Sequence, residues 1–227
     1  MNKKLFIAAF SSLLLLTFLV VPSFSATRLN CQSEIYQQAT SDPKDQFKKG
    51  YCFIKLGQYQ QGVTRLKGLE DQLPELGDYV IYFQAAGYEN LGDYTNSANL
   101  FNKILTQYPQ SGLKKKTLSR LGDIYTQSGD YVNAERIFRS LSLEEKDRGL
   151  KASYLYGLGE ALEKQGKYGD ALNTYKSIWV QYPETKSSSD AYTALTRISN
   201  SQGTSFQPSQ SDYLERANIL FDKSRWS

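Results

Sequence analysis

Histidine is absent from all 227 residues. That removes the imidazole general base, Ser-His-Asp and Cys-His nucleophile activation, and every histidine-ligated zinc or iron site. Methionine occurs once, at the first position, and proline six times, which excludes a Met-rich adaptable surface and a proline-rich disordered chain. Charge of one sign is lacking as well: 27 Lys+Arg against 23 Asp+Glu gives +4, and without Lys3 and Lys4 the balance is 25 against 23, or +2. No strong basic field points to nucleic acid. With 40% hydrophobic and 22% charged residues the chain is too polar for a membrane transporter and long enough for one large domain or two small ones. What it does have is tyrosine, 17 of them, which suits a core built on amphipathic rings.

The one long apolar run starts directly after Lys3-Lys4, extends from Leu5 to Val21 and is broken by Pro22. Small residues follow at Ser23, Ser25 and Ala26, so cleavage after Ser25 or Ala26 fits, and 1–26 reads as a secretory signal with 27–227 as the mature domain. An anchor retained in the membrane is the alternative, since the run approaches the roughly 20 residues that span a bilayer. Pro22 and the small residues favour cleavage, and a soluble, exported, periplasmic chain is the expectation. A lipid anchor is disfavoured because Arg28-Leu29-Asn30 precede Cys31.

Cysteine occurs only at positions 31 and 52. Each lies in a helical stretch, 29–40 and 44–56, on either side of the turn-forming Ser41-Asp42-Pro43. An antiparallel pair folded about that turn sets the two thiols opposite each other, so a Cys31–Cys52 disulfide is expected, the alternative being two buried free thiols. Two thiols without histidine or nearby acids do not make a metal site.

The rest of the chain is organised by Gly57-Gln-Tyr59, Gly92-Asp-Tyr94, Gly129-Asp-Tyr131 and Gly166-Lys-Tyr168, spaced 35, 37 and 37 residues apart. Seven residues before each glycine stands a small residue (Gly50, Ala85, Gly122, Gly159), and four before it a bulky apolar one (Phe53, Tyr88, Tyr125, Leu162). Five after it comes another small residue (Gly62, Ser97, Ala134, Ala171), nine after it Leu66, Phe101, Phe138 and Tyr175, and twelve after it Leu69, Ile104, Leu141 and Ile178. Apolar spacings of three and four give each half one buried helical stripe, and the glycine supplies the left-handed residue that ends the first helix. The fold class expected is all-α: a stack of antiparallel helix hairpins.

Leu121-Gly122, Tyr125, Gly129-Asp-Tyr131, Ala134 and Phe138 resemble the tetratricopeptide repeat, as do Leu158-Gly159, Gly166-Lys-Tyr168, Ala171, Tyr175 and Tyr182-Pro183. The resemblance covers Asp45 to about Gly203 and implies a tetratricopeptide-like α-solenoid of four to five repeats and a terminal helix. It departs from the family in its longer units, in its weak first unit, and in Leu143-Glu-Glu-Lys, where Thr106-Gln-Tyr108-Pro109 has a proline. A narrower resemblance, to the helical superhelix of bacterial soluble lytic transglycosylases, rests on Leu73-Pro74-Glu75-Leu76-Gly77-Asp78-Tyr79, on the Tyr-Pro ends of two units and on Leu214 to Phe221. That family's catalytic domain brings a Glu-Ser dipeptide and a Gly-Leu-Met-Gln stretch, and this chain has neither. No carboxylate pair stands out for acid–base work, so no catalytic residue, cofactor or metal is expected and the chain reads as a non-enzyme.

In the tetratricopeptide family the first helix of each pair lines the concave side. Positions ten, six and three before each glycine are then Tyr82, Ala86 and Glu89; Ser119, Asp123 and Thr126; Tyr156, Glu160 and Glu163. The resemblance thus implies a tyrosine-bearing, mildly acidic groove for a protein or peptide partner in the bacterial envelope, with peptidoglycan as a further implied partner; an ordinary solvated face is the alternative. Lys114-Lys115-Lys116 reads as an exposed helix start rather than an anion site, because the helix dipole disfavours cations there. Residues 211–223 read as a last helix, either a terminal cap over the last apolar face or, since Phe221 to Trp226 resemble the opening of another unit, part of a longer array. Two functions remain open: a non-catalytic envelope scaffold, or the front part of a lytic transglycosylase whose cleaving domain lies beyond Ser227.

Overall fold

The computed structural model describes residue 31 and residues 41–224. The expected signal segment 1–26, the expected helix over 29–40 apart from Cys31, and Trp226 lie outside the described residues. Among the described residues there are eleven α-helices and no strand. They run α1 (Pro43–Lys55), α2 (Tyr59–Leu66), α3 (Leu69–Gln72), α4 (Gly77–Asn90), α5 (Tyr94–Gln107), α6 (Lys114–Ser128), α7 (Tyr131–Glu144), α8 (Arg148–Lys164), α9 (Tyr168–Gln181), α10 (Lys186–Ser201) and α11 (Gln210–Ser224). Helices α1–α2, α4–α5, α6–α7 and α8–α9 pack as hairpins, the second helix of each also packs on the first helix of the unit that follows, and α11 packs on α9.

The turn inside each hairpin repeats the same atoms. Gly57, Gly92, Gly129 and Gly166 have φ of 78°, 76°, 85° and 75°, a conformation that glycine takes without a Cβ clash. The following residue donates its N–H back to the carbonyl of the bulky apolar residue before the glycine, as in Asp93 to Tyr88 (2.9 Å) and Asp130 to Tyr125 (2.8 Å). This six-to-one closure satisfies carbonyls the first helix leaves over. The same aspartates then cap the second helix, Asp93 accepting from the Asn96 N–H (3.1 Å) and Asp130 from that of Asn133 (3.3 Å). Three residues therefore stop one helix and start the next.

Packing between hairpins depends on the residue nine past each glycine. Phe101, Phe138 and Tyr175 are almost wholly buried, as is Leu66. Phe138 shows why the pattern needs small neighbours: a Cβ placed on Gly122 of α6, or on Gly157 of α8, would stand 2.8 Å from its ring. The ring thus fills the gap between the first helix of its own hairpin and that of the next. Ser97 fits at a small-residue position because its hydroxyl donates to the Ala85 carbonyl (2.9 Å) and leaves no unpaired polar group.

Two cores result. One is continuous from α4 to α10; the other, smaller, gathers Ile54, Val63, Leu66, Leu69 and Val80, and Phe83 packs against both. The weakness of the first unit has a visible cause. Its second helix is not continuous but breaks at Lys67-Gly68, where Gly68 has φ 77°. Cys31 and Cys52 are joined by a disulfide with their Cα atoms 5.0 Å apart, and this tie adds to what the small core supplies.

The linkers between hairpins close each unit on itself. Sixteen residues past three of the glycines stand Tyr108, Glu145 and Tyr182. Tyr108 lies against Gly77 at the start of α4. Arg148 at the start of α8 sits 4.9 Å over the Tyr182 ring. In the unit without a proline, Glu145 pairs with Lys115 at the start of α6 (2.8 Å). Charge replaces the ring, and the same two points are joined.

Phe138→Ala is expected to lower stability by about 3–5 kcal/mol, the range for an aromatic truncated in a core. Gly157→Ala should cost about 1–3 kcal/mol through overpacking, whereas Gly169→Ala, with open space around it, should be neutral or stabilise by up to about 1 kcal/mol. Urea melts of the three variants check the order. Reduction of the disulfide should lower stability by about 3 kcal/mol for a loop of this length, and hydrogen exchange should place the loss in α1–α3 while α6–α9 keep their protection.

Candidate functional site

The first helices α4, α6, α8 and α10 bring their polar residues into one row. At one end Arg120 of α6 pairs with Glu89 of α4 (3.1 Å). At the other, the Arg197 guanidinium of α10 clasps Glu163 of α8 through both nitrogens, at 2.5 and 2.8 Å. Between them lie Asp123 and Glu160, which form no ion pair or side-chain hydrogen bond among the described residues. Tyr156 stands beside Glu160 with its ring 5.4 Å from that of Tyr175, and the Tyr175 hydroxyl points to Glu163 at 3.4 Å.

The electrostatics divide the row. Burial raises the carboxyls of Glu89 and Asp123, with Arg120 pulling both back. Burial also raises that of Glu160, and the negative charges of Glu163 and Asp123 push it further, against a weaker opposing pull from Lys164 and Arg197. Glu163 goes the other way, held down by its hydrogen bonds from Arg197. Ionised Asp123 and Glu160 are therefore under-compensated negative charges at the centre of the face, and they favour a cation beside them.

Five of the six groove residues named from the sequence, Glu89, Asp123, Tyr156, Glu160 and Glu163, fall on this row. Tyr82 does not. It is only 4% exposed, its ring packed edge-on against Phe83 and Phe101 and covered by the Lys116 ammonium at 4.9 Å. Tyr82 is thus a core residue, because at the start of the larger core its position on α4 is roofed by α5 and by the first turn of α6. Lys114, Lys115 and Lys116 do open α6 and are exposed.

Two guanidiniums of the face escaped the sequence reading. Arg120 occupies none of the three positions counted. Arg197 does: it lies six residues before Gly203, another glycine with positive φ, 71°, and 37 residues past Gly166. Ser205 stands where the other units have Tyr, so the fifth turn lacked its aromatic marker. Extending the glycine ladder by one step finds it. No group of three or more His, Cys, Asp or Glu placed to hold a metal ion occurs among the described residues.

Comparison with known proteins bears on the fold. The family model Tetratricopeptide repeat matches residues 117–152, and a second model of the same description matches 81–111 and 153–185. Curated protein sequences contain no match. Among solved structures the chain is similar to MamA from MSR-1, at 18% identity and a TM-score of 0.57 over 80% of this chain and 98% of that one. It is similar to a putative kinesin light chain of nearly identical TPR-like repeats from Podosopora anserina, at 13% identity and 0.59 over 83% of this chain and all of that one. A tetratricopeptide repeat protein from Parabacteroides merdae matches at 17% identity and 0.53, over 80% of this chain and 72% of that one. With its repeated Gly-x-Tyr turns, wedged rings and hairpin stack, the chain carries tetratricopeptide repeats and folds as a tetratricopeptide-like α-solenoid.

Proposed function

We propose that this chain is a non-catalytic scaffold that binds a protein or peptide partner on the face of its first helices, and that the partner places a lysine or arginine between Asp123 and Glu160. The observation that carries the reading is the charge pattern of that face: the end carboxylates Glu89 and Glu163 are each in a direct ion pair with an internal arginine, while the central pair feels Arg120 and Arg197 only at longer range and forms no ion pair among the described residues. Tyr156 supplies an aromatic surface beside the pair for the aliphatic stem of such a side chain. Tetratricopeptide repeats offer a broad surface built from rigid helices, which suits recognition better than chemistry.

The finer reading is that the scaffold works outside the cytoplasm, in the cell envelope. Its supports are the apolar run from Leu5 to Val21 with small residues after Pro22 and the Cys31–Cys52 disulfide, which persists in oxidising compartments. Association with peptidoglycan belongs to the same reading and rests on the likeness to lytic-transglycosylase superhelices. Fractionation of cells expressing the full gene should place the protein in the periplasmic fraction, with an intact mass shortened by 25 or 26 residues; an uncut cytoplasmic product overturns the envelope assignment.

Titration calorimetry with an amidated Ala-Lys-Ala-Lys-Ala peptide and its Glu-for-Lys counterpart tests the face. The lysine peptide should bind, the glutamate peptide should not, and Asp123→Asn with Glu160→Gln should weaken the former about tenfold at low salt. Equal binding of both peptides, or no loss in the double variant, refutes it. The same residues should show in stability. A carboxyl raised on folding costs nothing below the unfolded pKa, about 4.3, where both states hold the proton. The cost grows as pH rises through the raised folded value. Glu160→Gln should therefore leave the melting temperature unchanged near pH 4 and raise it at pH 7, by no more than about 1 kcal/mol in stability.

A further inference from the structure

A cleft of about 290 Å³ opens between α5 and α7 with α6 as its floor. Its residues on α6 are Leu118, Leu121 and Tyr125, a stripe of that helix different from the one bearing Asp123, so the cleft is separate from the row of first-helix carboxylates. Leu105 on α5, Leu118 on α6 and Ile137 on α7 give it an apolar interior. Its polar groups are those of Asn102, Tyr125, Arg136 and Ser140, and the Ser140 hydroxyl is turned to Glu144 at 3.4 Å. Asn102 donates its amide to the Tyr125 hydroxyl at 3.2 Å, which leaves the Tyr125 proton to be donated elsewhere. Arg136 donates one N–H to Asn133 at 3.1 Å and has no carboxylate partner among the described residues. No acidic residue lines the cleft.

A pocket of this size holds roughly ten waters' worth of volume, at about 30 Å³ each. An apolar interior with a few convergent donors and one uncompensated guanidinium is the arrangement that takes an apolar body with an anionic head. A cationic occupant would face the like charge of Arg136, and a purely aliphatic one would leave the Arg136 and Tyr125 donors unused. We propose that this cleft binds a small apolar monocarboxylate, its hydrocarbon part against Leu105, Leu118 and Ile137 and its carboxylate on the Arg136 guanidinium and the Tyr125 hydroxyl. The site goes beyond the peptide-binding face and does not depend on it.

The probe is 3-phenylpropionate, with 3-phenylpropionamide as its uncharged match, titrated into the isotopically labelled chain and followed by amide chemical shifts. Saturable shifts are expected along α5, α6 and α7 around the cleft, with the acid binding about tenfold more tightly than the amide. Arg136 is exposed, so Arg136→Gln should fold normally and bring acid and amide within twofold of each other. Leu118→Trp should fill the cleft and abolish both sets of shifts; if that variant melts early, Leu105→Met, which keeps volume, should retain the acid's preference. Shifts that do not saturate, that map away from the cleft, or that are the same for acid and amide in the unaltered chain overturn the proposal. So does an Arg136→Gln variant that still prefers the acid tenfold.

Discussion

The contact on which the stack depends joins a bulky side chain nine residues past each turn glycine to the small residues of the helices around it. Phe138 is held between Gly122 and Gly157, and Tyr175 lies as closely on Gly159. Neither half works alone: a ring without facing glycines would hold the helices apart, and glycines without the ring would leave a void where dispersion contacts are lost. Because the Phe138 ring touches the first helices of two hairpins, closure of its own repeat and stacking on the next are there one interaction. The nearest-neighbour character of solenoid stability follows from it.

The pattern of that contact was legible in the chain, and so was much else. Gly92-Asp-Tyr94 and Gly129-Asp-Tyr131 announce a helix stop, a cap and a helix start because each task has a narrow set of residues that can perform it. The face of first helices was legible in part. Glu160 and Glu163 could be placed by counting back from Gly166, since a helix turns by a fixed angle per residue. Tyr82 could not be judged this way: its count is right, yet what roofs it comes from α5 and α6, and burial of that kind is set by tertiary neighbours. Arg197 was hidden because Gly203 lacks its aromatic companion, and the break at Gly68 because a glycine inside a helical pattern is compatible with either a kink or an uninterrupted helix.

The charges of the first-helix face show how a repeat array differentiates. The residue six before the turn glycine is Ala86, Asp123, Glu160 and Arg197 in successive units. Fixed geometry with a changing side chain yields a graded surface in which the ends are neutralised internally and the middle is left anionic. Core positions vary far less, from Leu66 through Phe101 and Phe138 to Tyr175, because a wedge admits only bulk.

The linkers carry a consequence of a different order. Since Tyr108, Glu145 and Tyr182 each return to the beginning of the hairpin they end, both halves of every clasp sit inside one block of 37 residues. A gene duplication or deletion cut at the linkers would move each clasp whole. The clasps thus put no constraint on lengthening or shortening the array, which is left to contacts between neighbours such as Glu89–Arg120 and Glu163–Arg197, and Glu145 in place of tyrosine shows that a clasp can drift in chemistry while keeping its span.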